Sequence, residues 1–124
     1  MKFSELKFTK HPRGGVMARH TFANGFGVSV VKFPGSYGWL DGLYEMAVLL
    51  GGKVCNTTDI TSDVLGYLTH IDVEEFMAQV EMLNADGHLP EGVGLYSQVG
   101  EESEQAMHEA DVILAADIKY FFNG

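Results

Sequence analysis

The chain has a single cysteine among 124 residues. Cys55 alone cannot form an internal disulfide or a cysteine-based zinc site. It reads as a small apolar residue, because no nearby histidine would activate it as a nucleophile. Cationic side chains are also scarce: Lys and Arg total eight. Binding along a phosphate backbone needs clusters of them, so a nucleic-acid partner is not expected. No apolar run approaches the roughly 18 residues of a membrane helix, so no membrane partner is expected either. The opening stretch MKFSELKFTKHPRGG has no apolar core of a secretion signal, and a cytoplasmic location is the expectation.

What the chain does hold is acid, unevenly spread. Residues 1–62 carry seven Lys/Arg against four Asp/Glu, and residues 63–124 carry one Lys against thirteen. Solvated outer faces of two helices account for this simply. A sharper reading is an acidic surface that docks on a basic protein by charge complementarity. A length of 124 residues suits one domain. The pattern predicts an α+β fold over residues 1–124: an antiparallel sheet of four to five strands built from hairpins over 1–56, then two helices within the acidic stretch 57–124.

Val16 to Phe33 centres the sheet. Asn24-Gly25 between two β-prone runs predicts a hairpin with a two-residue type I′ turn. That turn pairs Thr21 with Val28, Arg19 with Val30, and Phe22 with Gly27. Val16, Ala18, Phe22, Val31 and Phe33 would then share the core face. Val28 to Val31 is apolar on both sides, which predicts a central strand, with Val30 under a helix or in an interface. A short edge strand is expected near residues 5–10. Leu43 to Leu50 reads as a strand that turns at Gly51-Gly52 and returns through Lys53 to Asn56. This turn pairs Leu50 with Lys53 and Leu49 with Val54.

Between these strands lies the loop Pro34 to Gly42, which carries Tyr37 and Trp39. They either fold back as a lid or anchor a partner. Residues 57–67 read as a loop, with one helical turn near 62–65. Thr69 to Leu83 is the clearest helix. Thr69 is its N-cap, Asp72 completes a capping box, and Val73, Phe76, Met77, Val80 and Leu83 form its buried stripe. Asn84 to Gly100 is a connector in which one short strand, Val93 to Val99, is the candidate element. A second helix is expected from Ser103 to Phe122.

Candidate chemistry is thin, and no catalytic residue, metal or cofactor is assigned. Asp59 with Asp63 offers too few ligands for Ca²⁺, and His70 with Glu74 is half a metal site. Glu104, His108 and Asp111 gather on one side of the second predicted helix. With Glu101, Glu102, Tyr120 and Phe122 they make up the predicted interaction surface, whose terminal aromatics suit a homodimer. Arg19, His20, Tyr37 and Trp39 are the candidate ligand-binding residues, able to hold an anionic, nucleotide-like molecule if copies of the chain assemble. Such a small-ligand protein or minor enzyme, and a structural virion or assembly component, are the alternatives to a binding protein.

The runs Phe22-x-Asn24-Gly25-Phe26-Gly27-x-Ser29-Val30-Val31, Gly35-Ser36-Tyr37-Gly38 and Asp63-Val64-Leu65-Gly66 resemble a family of small uncharacterised proteins of tailed bacteriophages. The likeness covers residues 3–83 and brings no catalytic residue with it. It implies a phage accessory protein in the host cytoplasm, active in host takeover or anti-defence by binding a host or bacterial-defence protein; the acidic charge adds that this partner would have a basic surface.

Overall fold

A computed structural model describes residues 1–93. Six strands form one antiparallel sheet: β1 (Thr9–Lys10), β2 (Val16–Thr21), β3 (Phe26–Lys32), β4 (Tyr44–Leu50), β5 (Lys53–Val54) and β6 (Leu65–Leu68). They lie in the order β1-β2-β3-β4, and β5 and β6 share the far edge of β4. One helix, α1 (His70–Glu81), crosses the sheet. The class is α+β, as predicted. The second predicted helix and the run 94–100 of the connector lie outside the described residues.

Helix α1 begins where its capping chemistry places it. Thr69 Oγ1 accepts the Asp72 N–H at 3.1 Å, and Asp72 Oδ2 accepts the Thr69 N–H at 2.9 Å. Two of the orphan amides at a helix start are thereby satisfied. Val73, Phe76, Met77, Val80 and Leu83 are all buried, as the predicted stripe requires. Each contributes about 1.5–3 kcal/mol of apolar burial. They meet Ala18, Phe26, Val28, Val30, Met46 and Val48 from the sheet. The central position of β3, and Val30 beneath a helix, agree with the two-sided apolar run.

The hairpin between β2 and β3 corrects the predicted register by one residue. His20 pairs with Val28 and Ala18 with Val30. The loop has three residues: Phe22 accepts the Gly25 N–H, and Phe22 donates its own N–H to Phe26. Only Gly25 takes a positive φ, of 90°, so this is a turn closed by a glycine bulge rather than a type I′ turn. Asn24 has another task. Its Oδ1 accepts the Phe26 N–H at 3.1 Å, and its Nδ2 donates to the carbonyls of Val80, Glu81 and Leu83 at 2.9, 3.2 and 3.0 Å. No basic residue stands in the last turn of α1, so this amide serves its exposed carbonyls.

The shift moves Val28 and Val30 to the helix face and Val31 to the opposite one. It does not expose the phenylalanines, because both faces of the sheet are covered. Phe22 packs with the helix cluster. Phe33, on the other face, lies under the His11 ring, stacked at 4.0 Å. Burial holds His11 below the usual imidazole range, with Arg13 adding to the effect, and its Nδ1 accepts the Arg13 N–H. On this second face Tyr37, Ala47 and Val64 form a smaller cluster.

Leu65 to Tyr67, predicted as the end of a loop with a helical turn near 62–65, form strand β6 together with Leu68 instead. Leu65 and Leu68 pair with Met46 and Tyr44, so Gly66 and Tyr67 stand opposite Glu45 alone. This is a β-bulge. Tyr67 is the one non-glycine residue among those described with a positive φ, 57°. The β4–β5 turn follows prediction, with Leu50 opposite Lys53 and Leu49 opposite Val54.

A polar clasp joins the loop after α1 to the loop before β6. Asp59 accepts the Leu89 N–H at 2.8 Å through Oδ2, and its Oδ1 lies 3.0 Å from His88 Nδ1. The hydrogen bond to His88 lowers the Asp59 carboxyl, and the same bond raises the His88 imidazole. The two signs bound a window. The Asp59 contribution is present above the ordinary carboxylate range and lost as pH falls through its lowered value. The His88 contribution is full below the ordinary imidazole range and lost as pH rises through its raised value. Between roughly pH 4.5 and 6 both hold. The Leu89 amide should therefore exchange more slowly at about pH 5.5 than at about pH 8, after correction for intrinsic rates. Asp59→Asn should abolish the difference; an unchanged difference in that variant would show that the clasp is not its source.

Candidate functional site

An open groove of about 630 Å³ lies at the head of α1, lined by Phe3, Gly42, Leu43, Tyr44, Thr69, His70 and Ile71. Three elements converge to build it. The bulge in β6 turns the chain so that Thr69 and His70 leave the sheet beside Tyr44, the residue opposite Leu68. The N-terminal segment crosses over α1, where the Phe3 N–H donates to Glu74 Oε1 at 2.7 Å. The loop before β4 ends in a single 3-10 turn, Trp39–Asp41.

The groove is aromatic. The Phe3 ring lies 5.2 Å from Tyr44, 5.5 Å from Phe8 and 5.8 Å from His70. Lys32 Nζ sits 4.8 Å from the Tyr44 ring centroid, a cation–π distance. Two large aliphatic side chains stand in water here or close by in the chain: Ile71 is 57% exposed and Leu40 96% exposed. Neither position is forced by the fold. Ile71 lies off the buried stripe of α1, and Leu40 sits on the short turn that leads into the groove.

Behind the groove, Glu45 is buried in β4 and its Oε1 accepts the Tyr37 N–H at 2.9 Å. Tyr37 is buried as well, its ring 6.0 Å from that of Tyr67. A bulge and a residue held at positive φ often accompany functional sites. Here they position the wall of the groove and the start of α1.

The ligand-binding residues predicted from sequence do not converge within one chain. Arg19 and His20 are neighbours on β2 and point to opposite faces of the sheet. Arg19 Nη1 reaches the Gly52 carbonyl at 3.5 Å, whereas the His20 ring meets Phe22 edge-on at 4.9 Å. Tyr37 is a core residue, and Trp39 is half-buried. Glu101, Glu102, Glu104, His108, Asp111, Tyr120 and Phe122 lie outside the described residues. Among the described residues no three His, Cys, Asp or Glu side chains are grouped so as to hold a metal ion. No helix among them is long and apolar enough to cross a membrane.

Three of the four acids of α1 are engaged within the molecule. Asp72 closes the capping box, Glu74 holds Phe3, and Glu81 Oε1 accepts from the Met1 α-amino group at 2.9 Å. The hydrogen bond to Glu81 raises that amino group. Glu75 alone of the four is left on the outer face, in line with Ile71, Ala78 and Met82, which are exposed too. The groove residues Phe3, Leu43 and Ile71 were not singled out from sequence. An aliphatic residue off the stripe of a well-patterned helix was the one available signal.

Compared with protein-family models, curated proteins and solved structures, the chain matches none.

Proposed function

We propose that this chain is a non-enzymatic binding protein whose groove at the head of α1 receives an apolar side chain of a protein partner. The carrying observation is the exposure of Ile71 in the wall of an aromatic-lined groove, with Leu40, exposed as well, on the turn two residues before Gly42 of the same wall. Large aliphatic groups left in water around a concave aromatic surface are the usual material of an interface anchor. The proposed partner is of the kind that the phage resemblance implies, a host or bacterial-defence protein, and the acidic charge calls for a basic surface on it. Glu75 lies one turn beyond Ile71 on the same exposed face of α1. Residues 63–93 contain seven acids and no Lys or Arg, which favours a basic partner over an acidic one.

The test is capture from bacterial lysate by the wild-type chain, by Ile71→Asp and by Leu40→Asp. Both positions are exposed, so each variant should keep the wild-type melting temperature within about 2 °C. A partner bound through the groove should be lost from both variants, at low salt as well as high, with at least a roughly tenfold fall in affinity. Retention of every captured protein by both variants would overturn the reading.

A further inference from the structure

Strand β2 is an edge for most of its length. β1 covers only Val16 and Met17. Upstream of Thr9 the chain leaves the sheet to bury Leu6 and to place Phe3 and Phe8 against Tyr44. Residues Ala18 to Thr21 therefore have β3 on one side and no strand on the other among the described residues.

The register shows which backbone groups are spare. Phe22 donates its N–H to Phe26 across the hairpin, and His11 donates to Gly15 on the far side of β2. Alternation along an antiparallel ladder then turns Ala18 and His20 toward β3 and Arg19 and Thr21 outward. Each of these two residues presents one N–H and one C=O to water. Arg19, His20 and Thr21 are exposed. The usual guards of an edge are weak here, since the stretch has no proline and no bulge. Its one charge, Arg19, reaches across the sheet to Gly52.

We infer that β2 pairs antiparallel with β2 of a second copy of this chain, about a two-fold axis at His20. In this register Arg19 stands opposite Thr21 of the second copy, and Thr21 opposite Arg19 of the second copy. Four hydrogen bonds form, and every outward group of Arg19 and Thr21 on both chains is used. An axis at Arg19 would set two guanidinium groups face to face, and an axis at Thr21 would leave Arg19 without a strand residue opposite. A second copy is favoured over an unrelated strand because its hydrogen-bonding groups match their own in a register that keeps the two Arg19 side chains from facing each other. The resulting isologous interface joins two sheets into one and leaves the groove at α1 open. It is independent of the binding function proposed above.

The register can be read by cross-linking. His20 would face its own copy in a non-hydrogen-bonded pair, where Cβ atoms lie about 4.5–5.5 Å apart. With Cys55→Ser in place, His20→Cys should give a disulfide-linked dimer on oxidation at least about tenfold faster than Arg19→Cys or Thr21→Cys, whose own copies lie diagonally at about 7–8 Å. Thr21→Pro removes an outward N–H that bonds to none of the described residues, and should abolish the dimer. Sedimentation of the wild-type chain should show a dimer that grows with concentration. A wild-type monomer up to millimolar concentration, or equal rates for the three cysteine variants, would overturn the proposal.

Discussion

Asn24→Ala should lower the stability of the protein by about 3 kcal/mol, a large fraction of the total for a domain of this size. The side chain makes one bond to the Phe26 N–H and three to carbonyls at the end of α1. An amide carries two hydrogens, so two of the three carbonyls share one of them. Each bond has a net value of about 1 kcal/mol, and the carbonyls left behind lose the one side-chain donor that the described residues give them. Alanine brings no backbone penalty at this position, because Asn24 does not have a positive φ. Asn24→Asp should be worse than alanine. It keeps the acceptor for Phe26 but sets an anion against the negative end of the helix dipole. Thermal melting with both variants checks this: a fall of roughly 10 °C is expected for alanine and more for aspartate. If alanine melts within about 3 °C of wild type, the hairpin and helix are not coupled through this amide.

Gly66→Ala should cost about 3 kcal/mol or more, by collision rather than by lost bonding. A Cβ at Gly66 would lie 2.4 Å from Tyr37 Cβ and 2.9 Å from Tyr37 Cγ. Tyr37 cannot swing away, being buried with its N–H held by Glu45. β6 cannot retreat either, because Leu68 is buried under α1 and pairs with Tyr44. The expected result is loss of β6 from the sheet, read as proteolysis near residue 66 and loss of the near-ultraviolet signal of Tyr37. Tyr37→Gly removes the opposing Cβ. The double variant should thus be no less stable than Tyr37→Gly alone, giving a strongly non-additive cycle. Additive losses would place the cause elsewhere, in the backbone of the bulge.

The parts of this fold legible in the sequence are those whose signals lie within one turn or one hairpin. The cap of α1 is such a case, since Thr69 and Asp72 are three residues apart and satisfy each other. Its buried stripe follows from helical spacing, and the turn at Gly51-Gly52 sets its own register. Equally local is the two-sided apolar run that places β3 at the centre.

The remainder rests on groups distant in the chain. The Asn-Gly corner looked like a type I′ turn because both residues tolerate positive φ, yet the Asn24 side chain is spoken for by α1, 56 or more positions away. β6 was hidden because Ser62, Asp63 and Gly66 read as loop, and only the edge of β4 makes that segment extended. The acids of α1 read from sequence as a solvated face or as part of an acidic docking surface, and the N-terminal segment takes up two of them, Glu74 and Glu81. The groove was not legible at all: Phe3, Tyr44 and Ile71 come from three parts of the chain, and only the crossing of the N-terminal segment over α1 brings them together. Sequence alone thus determined the class, the helix start and the central strand. The tertiary structure decided register, faces and site, because a side chain's hydrogen-bonding capacity goes to whichever partner the packing delivers.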